Sequence, residues 1–161
     1  MVEVKIDAIR VNQMGSRVVI LKELAANRYL SIWIGEVEAN SIEIKLKNLR
    51  VVRPITHDLI VNLISEMGAA VRHVYISDLR DNIYHARVAL RTRDGREMEI
   101  DSRASDAIAI AVRCEASIFV QDDVMDEHGQ TPEEETATVA DDDIGAFKDF
   151  LGSLDLDDLD K

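Results

Sequence analysis

The chain has 161 residues, of which 47% are apolar and only 4% aromatic, so a folded body must have an aliphatic core. The single cysteine, Cys114, excludes an intramolecular disulfide and a cysteine-rich zinc site, and it suits a reducing compartment. No apolar run approaches the roughly 18 residues of a membrane-spanning helix, and residues 1–5 show no signal-peptide pattern. We therefore expect a cytoplasmic protein that does not enter the membrane.

The net charge of −12 is concentrated near the C-terminus. Residues 121–161 contain 15 acidic and 2 basic residues, a net of −13, so residues 1–120 carry a net of +1. A uniformly acidic protein would repel the phosphates of nucleic acid, but a near-neutral body does not. We interpret the acidic segment as a solvated tail. The alternative is a tail that competes with phosphates for a basic surface of the body.

Alternating apolar residues and turn signals predict three strands and a helix in the first 50 residues. The predicted strands span residues 2–7, 17–21 and 29–34, and Gly35 separates the last strand from a helix over residues 36–49. The apolar residues of this helix have imperfect helical spacing. Pro54 ends the connection that follows, because a proline disfavours helix in the residue before it.

The second half predicts a helix and then the same order of elements again. Thr56 is a candidate N-cap for a helix that ends at Met67, and Gly68 suits the C′ position. Asp81 and Asn82 predict one hairpin turn, and Gly95 lies in a second. The predicted strands span residues 71–77, 84–92, 96–100 and 117–120, and the predicted helices span residues 102–113 and 122–127.

A shift of 68 residues superposes the two halves without gaps (96 − 28 = 68). Residues 28–32 then fall on residues 96–100, and Glu38 falls on Asp106. One unit of three strands and a helix would bury little apolar surface alone. We therefore predict an α+β fold in which two similar strand–strand–strand–helix units share one core.

Composition changes after Glu127. Residues 128–140 lack a sustained apolar pattern and predict an acidic, flexible linker. Residues 141–161 begin with three aspartates, which favour a helix N-terminus, and continue with an amphipathic stripe. The predicted organisation is a domain over residues 1–127, the linker, and a C-terminal helix with an acidic tail. Exposed strand edges and the stripe favour a homodimer.

Two carboxylates flank the start of the helix predicted at residue 102. Asp101 ends a strand and Asp106 lies one turn into the helix, so the pair offers the hard oxygen ligands that Mg²⁺ and Mn²⁺ prefer. The alternative is a salt bridge from Arg103 to Asp106, since a cation in the first turn opposes the helix dipole. Ser102 and Ser105 are candidate N-caps.

Two other junctions concentrate ionisable side chains. His57 begins a helix and is a candidate for moving a proton, because histidine gains and loses protons near neutral pH. Asp58 beside it suits the positive end of the helix dipole. Asp78 and Arg80 precede a hairpin turn. The preference of aspartate for turns explains Asp81 well but explains Asp78 and Arg80 less well. We consider that they could face the other two junctions.

Together these motifs resemble the bifunctional nuclease family. The resemblance rests on residues 53–58, on residues 78–81 with 84–86, and on residues 101–109, and it holds in order and spacing over about residues 1–127. This chain departs from the family at Ser102, where alanine is frequent, and at Ala104, where proline is frequent. The resemblance implies an α+β domain that cleaves both DNA and RNA.

The leading hypothesis is therefore a phosphodiesterase that acts on DNA and RNA. Asp101 and Asp106 would hold a divalent metal ion (Mg²⁺ or Mn²⁺) that activates water, and His57 would move a proton. The other candidates for the catalytic group are Asp58 and Asp78. The candidates for binding the phosphate are Arg53, Arg80, Arg103 and Ser105. The alternative is a non-catalytic binding or regulatory module whose polar cluster is a structural ion-pair network.

Overall fold

The computed structural model describes residues 1–12 and 15–131, and this part of the chain forms one seven-stranded sheet and four helices. The strands are β1 (Val2–Val11), β2 (Arg17–Glu23), β3 (Tyr29–Ile34), β4 (Ala69–Arg80), β5 (Ile83–Thr92), β6 (Glu97–Arg103) and β7 (Ser117–Val120). The helices are α1 (Glu36–Leu46), α2 (Thr56–Glu66), α3 (Ala104–Cys114) and α4 (Asp122–His128). The predicted α+β class is confirmed.

Two antiparallel three-stranded units lie side by side in the sheet, whose order is β3-β2-β1-β7-β4-β5-β6. β7 separates the units and is antiparallel to β1 but parallel to β4. A helix follows each unit. The first and last residues of α3 lie 68 positions after those of α1 in the sequence (104 − 36 and 114 − 46). The predicted repeat of two units with one core is therefore confirmed.

The core lies where α1, α2 and α3 pack against the sheet. Its residues are aliphatic, as the composition predicts, and the largest completely buried side chains include Leu21, Leu30, Ile32, Ile42, Ile76 and Ile108. α3 is the central helix: it contacts both α1 and α2, and most of its residues from Ala104 to Ala111 are buried. Its many alanines let the neighbouring helices approach closely, which brings polar groups from all three helices together.

The ends of α1 and α2 differ from the predictions. α1 ends at Leu46 rather than at residue 49, because Asn48 adopts a left-handed conformation (φ 51°) that stops the helix. Thr56 is not the N-cap of α2. Ile55 occupies that position, and the Asp58 carboxylate accepts its backbone N–H at 2.9 Å. Gly68 follows the helix with a φ of 74°, as predicted.

The junction between β6 and α3 also differs from the prediction. β6 continues to Arg103, which is the N-cap residue, so α3 begins at Ala104 rather than at Ser102. The predicted serine caps are wrong: the Ser102 hydroxyl donates to the Arg103 carbonyl oxygen at 2.9 Å, and Ser105 is buried inside the helix. At the β4–β5 hairpin, Asp81 and Asn82 have the positive φ values of the predicted tight turn.

The predicted linker beyond Thr131 and the predicted C-terminal helix lie outside the described residues. Within the described part, no helix is long and apolar enough to cross a membrane. The homodimer and the cytoplasmic location stay predictions.

Candidate functional site

A continuous hydrogen-bonded network links α1, α2 and α3, and His57 lies at its centre. Its Nδ1 atom is 2.8 Å from Ser41 Oγ, and its Nε2 atom is 3.0 Å from Asp106 Oδ1. The side chain of His57 is only 7% exposed, so both ring nitrogens are engaged inside the protein. The structure therefore brings together two of the three predicted junctions, those of His57 and Asp106.

Arg103 joins Asp106 to a second carboxylate, Glu38. Its Nε donates to Asp106 Oδ2 at 2.6 Å, and its Nη2 donates to Glu38 Oε1 at 2.7 Å and to Asp106 Oδ1 at 3.0 Å. The predicted Arg103–Asp106 salt bridge is thus confirmed. The Arg103 side chain is 64% exposed, and its Nη1 has no hydrogen bond to any described residue, so one edge of the guanidinium faces solvent.

The two carboxylates that hold Arg103 are equivalent in the internal repeat, since 38 + 68 = 106. Each is the third residue of its helix, counted from Glu36 in α1 and from Ala104 in α3. A carboxylate there is stabilised by the positive end of the helix dipole. Sequence reasoning missed Glu38 as a site residue, although its superposition on Asp106 was the signal that could have found it.

Arg113 forms the other arm of the network, and its side chain is only 4% exposed. Its Nε donates to Asp58 Oδ1 at 2.6 Å, and its Nη2 donates to Ser41 Oγ at 3.0 Å. Asp58 therefore neutralises a buried guanidinium while its other oxygen accepts the Ile55 N–H. These contacts explain Asp58 as a structural residue. Ser41 and Arg113 carried no signal in the sequence.

Two carboxylates of the network, Asp106 and Asp58, are held in the ionised form. Burial by itself raises the pKa of Asp106, but hydrogen bonds from Arg103 and His57 outweigh it, so this pKa lies below its ordinary value. Burial likewise raises the pKa of Asp58, and hydrogen bonds from the Ile55 N–H and Arg113 outweigh it. Hydrogen bonds to Asp106 and Glu38 raise the pKa of Arg103. Near neutral pH the cluster therefore holds fixed charges in close pairs.

The network borders a cavity of about 960 Å³ that lies among α1, α2, α3, β5 and β6. Half of its lining residues are aliphatic: Val37, Ile44, Ile55, Ile60, Ile64, Val88, Leu90, Ile100 and Ile110. Glu38, Ser41, His57, Arg103 and Asp106 line its polar end, and none of its described lining residues is Phe, Tyr or Trp. A cavity of this size is typical of ligand-binding sites.

The predicted metal pair, Asp101 and Asp106, does not fit a dedicated Mg²⁺ or Mn²⁺ site. Both oxygens of Asp106 already accept hydrogen bonds from Arg103, and Oδ1 also contacts His57. Asp101 borders the cavity and lies opposite Arg87 in the register of β5 and β6. Because side chains alternate along a strand, Asp101 projects from the opposite face of β6 to Ile100 and Ser102. Among the described residues, no three acidic, histidine or cysteine side chains form a metal-binding group.

The remaining candidate residues lie outside this cavity. Asp78 forms an ion pair with Arg80 at 2.8 Å and lines a separate cavity beside α4. β5 lies between β4 and β6, so the hairpin that carries these two residues does not bring them into the cavity of Asp106. Arg53 is exposed in the loop before α2, and Ser105 is buried in α3 without lining the cavity.

Comparison with known proteins identifies the class of domain that has this repeated α+β architecture and this polar cluster at the starts of its helices. The family model described as "Bifunctional nuclease domain" matches residues 19–133, a range that contains every residue of the network. The chain therefore belongs to the bifunctional nuclease domain family.

Individual relatives agree with this assignment. An uncharacterized protein of Mycobacterium tuberculosis (strain ATCC 25618 / H37Rv) is 36% identical over 163 residues, which covers 98% of this chain and 97% of that protein. Bifunctional nuclease 1 of Oryza sativa subsp. japonica is 32% identical over 106 residues, and Bifunctional nuclease 2 of Arabidopsis thaliana is 28% identical over 107. These matches cover 64% and 65% of this chain but only 32% of each plant protein.

Proposed function

We propose that the chain hydrolyses phosphodiester bonds in DNA and RNA at the polar end of the cavity. The observation that carries this proposal is the geometry of Arg103, whose guanidinium is held by two carboxylates while its Nη1 edge faces solvent. A guanidinium fixed in this way presents directed N–H donors to phosphate oxygens. The family assignment and the names of the plant relatives support the same chemistry.

Asp106 is the member of the His57–Asp106 pair that water can reach, because its side chain is 25% exposed and that of His57 is 7% exposed. In this scheme the Asp106 carboxylate orients the attacking water, and the His57 ring holds that carboxylate in place. The water oxygen bonds to phosphorus as the ester P–O bond breaks; the proton of the water passes to solvent, and the leaving oxygen takes a proton from solvent. Its lowered pKa makes Asp106 a weak base, so orientation is its main contribution. Arg103 stabilises the negative charge that develops on the phosphoryl oxygens. In this proposal His57 does not transfer a proton directly, as the sequence predicted, but positions the Asp106 carboxylate.

No step of this scheme passes through a metal ion, so chelation is the informative experiment. The purified protein should nick supercoiled plasmid DNA and degrade single-stranded RNA, and both rates should be nearly unchanged by excess EDTA. A catalytic metal contributes several kcal/mol, so its removal would slow cleavage by more than about 100-fold. Collapse of activity in EDTA that Mg²⁺ or Mn²⁺ restores would support the sequence-based metal prediction instead. A metal-dependent nuclease treated in parallel confirms that chelation is complete.

A second candidate function is that of a binding module, and the aliphatic lining of the cavity favours it. Nucleobases stack on aromatic rings, whereas aliphatic grooves suit apolar ligands or partner segments. In this alternative the polar cluster serves only to tie three helices together. Cleavage by the purified chain that is lost on substitution of Asp106 separates the two candidates, because a binding module has no cleavage to lose.

A further inference from the structure

Ser41 is a buried hydroxyl that contacts the inner nitrogen of His57 and has no role in the scheme above. The residue is 3% exposed, and its Oγ lies 2.8 Å from His57 Nδ1 and 3.0 Å from Arg113 Nη2. Arg113 is itself fixed by Asp58 and by the carbonyl oxygen of Ala109. The hydroxyl is therefore held between an immobile guanidinium and the imidazole ring.

The direction of these hydrogen bonds follows from the chemistry of the three groups. A guanidinium can only donate, so Ser41 Oγ accepts from Arg113. Among the described residues, His57 Nδ1 is the acceptor within reach of the single hydroxyl hydrogen, so Ser41 donates to it. In the neutral ring Nδ1 is then unprotonated, and the proton resides on Nε2, which donates to Asp106 Oδ1.

The other tautomer would make unfavourable contacts at both ends of the ring. With the proton on Nδ1, the lone pair of Nε2 would face the Asp106 carboxylate. At the same time, the Ser41 hydroxyl hydrogen would lose its acceptor in a buried position, which costs free energy. Both ends of the ring therefore favour the same arrangement.

We propose that Ser41, held by Arg113, is a positioning residue that fixes His57 in the tautomer protonated on Nε2 and so aims an N–H at Asp106. The catalytic consequence rests on the proposed nuclease function, whereas the direction of the hydrogen bonds does not. Ser41 acts through His57 and does not contact the substrate.

The tautomer can be observed directly in the full-length protein by NMR of nitrogen-labelled histidine. The chain has 4 histidines, and the spectrum of the His57→Gln variant identifies the signals of His57 by their absence. At a pH where the ring is neutral, we expect Nε2 to show the signal of a protonated nitrogen and Nδ1 that of an unprotonated one. The reverse assignment would overturn the proposal without reference to any activity.

Substitution of Ser41 tests whether this residue sets the tautomer. In Ser41→Ala the Asp106 carboxylate still favours the proton on Nε2, so the His57 signals should shift only partly toward the other tautomer. Ser105→Ala removes another buried helical hydroxyl and should leave the His57 signals unchanged. Unchanged His57 signals in Ser41→Ala would contradict the proposal. If this variant does not fold, Ser41→Cys retains the volume with a weaker donor and should give intermediate signals.

The kinetic consequence is measured separately on an RNA substrate. Ser41→Ala should lower kcat by about tenfold with little change in KM, because Arg103 and its phosphate contact remain in place. A change in KM alone would contradict a role through His57. If the wild-type protein cleaves nothing, the nuclease function fails, and the NMR measurement still decides the tautomer.

Discussion

Replacement of Asp106 by Asn should lower the cleavage of both DNA and RNA by at least about 100-fold, the size of loss expected when the attacking water is no longer correctly oriented. The amide carbonyl can still accept the His57 N–H, so the fold should persist. The amide cannot hold Arg103 by charge, and it orients water less strongly than a carboxylate. The measurement is the initial rate on plasmid and RNA, together with the circular dichroism melting curve.

Asp94→Asn is the matched control for this substitution. Asp94 is also a carboxylate whose pKa is lowered, by hydrogen bonds from Thr92 and Arg96, but it lies on an exposed hairpin and does not line the cavity. Its variant should cleave like the wild type. Equal rates in the wild type and Asp106→Asn would contradict a role of Asp106 in the cleavage.

Replacement of Asp58 by Asn should produce the largest loss of stability among substitutions in the network. It removes the charge that neutralises Arg113, whose side chain is 4% exposed. Breaking a buried ion pair from one side costs about 3–5 kcal/mol, and we expect the lower end because the Asp58 side chain is 29% exposed. Urea unfolding measures the effect. Asp81→Asn, in an exposed turn, is the control and should change the free energy of unfolding by less than about 0.5 kcal/mol.

The effect of Asp58 should also depend on pH in a defined direction. Its pKa is lower in the folded protein, so its contribution is complete above the unfolded carboxyl pKa of about 3.9 and is lost as pH falls through the folded value. The difference in unfolding free energy between wild type and Asp58→Asn should therefore be constant near neutral pH and shrink below about pH 4. A difference that grows in acid would contradict the assignment.

The sequence predicted the fold well because its signals were local and repeated. The repeat places Glu38 on Asp106, and the structure shows that these residues meet at one arginine. Hairpin residues such as Asp81 and Asn82 specify their own backbone conformation, so the tight turn that joins β4 and β5 could also be predicted.

The site was predicted only in part, because its contacts depend on how distant elements pack. Ser41 and Arg113 are 72 residues apart, and no local sequence pattern in either segment predicts their contact. Asp101 and Asp106 looked like a pair along the chain, but strand alternation places Asp101 on the opposite face of β6 from Ile100 and Ser102, and Arg103 engages Asp106. Asp78 was separated from the cluster by the placement of β5 between β4 and β6, which only the sheet order reveals.

The most direct test of the proposed site is to observe which arginine side chain meets a nucleic acid phosphate. A single-stranded phosphorothioate oligonucleotide, which resists cleavage, can be titrated into the nitrogen-labelled protein while the arginine Nε–H signals are followed by NMR. The Arg103→Lys variant identifies the Arg103 signal. We expect the Arg103 and His57 signals to shift with increasing oligonucleotide while those of Arg80 and Arg96 stay in place. Shifts confined to the exposed hairpin arginines, with Arg103 unaffected, would contradict a nuclease site at this cavity.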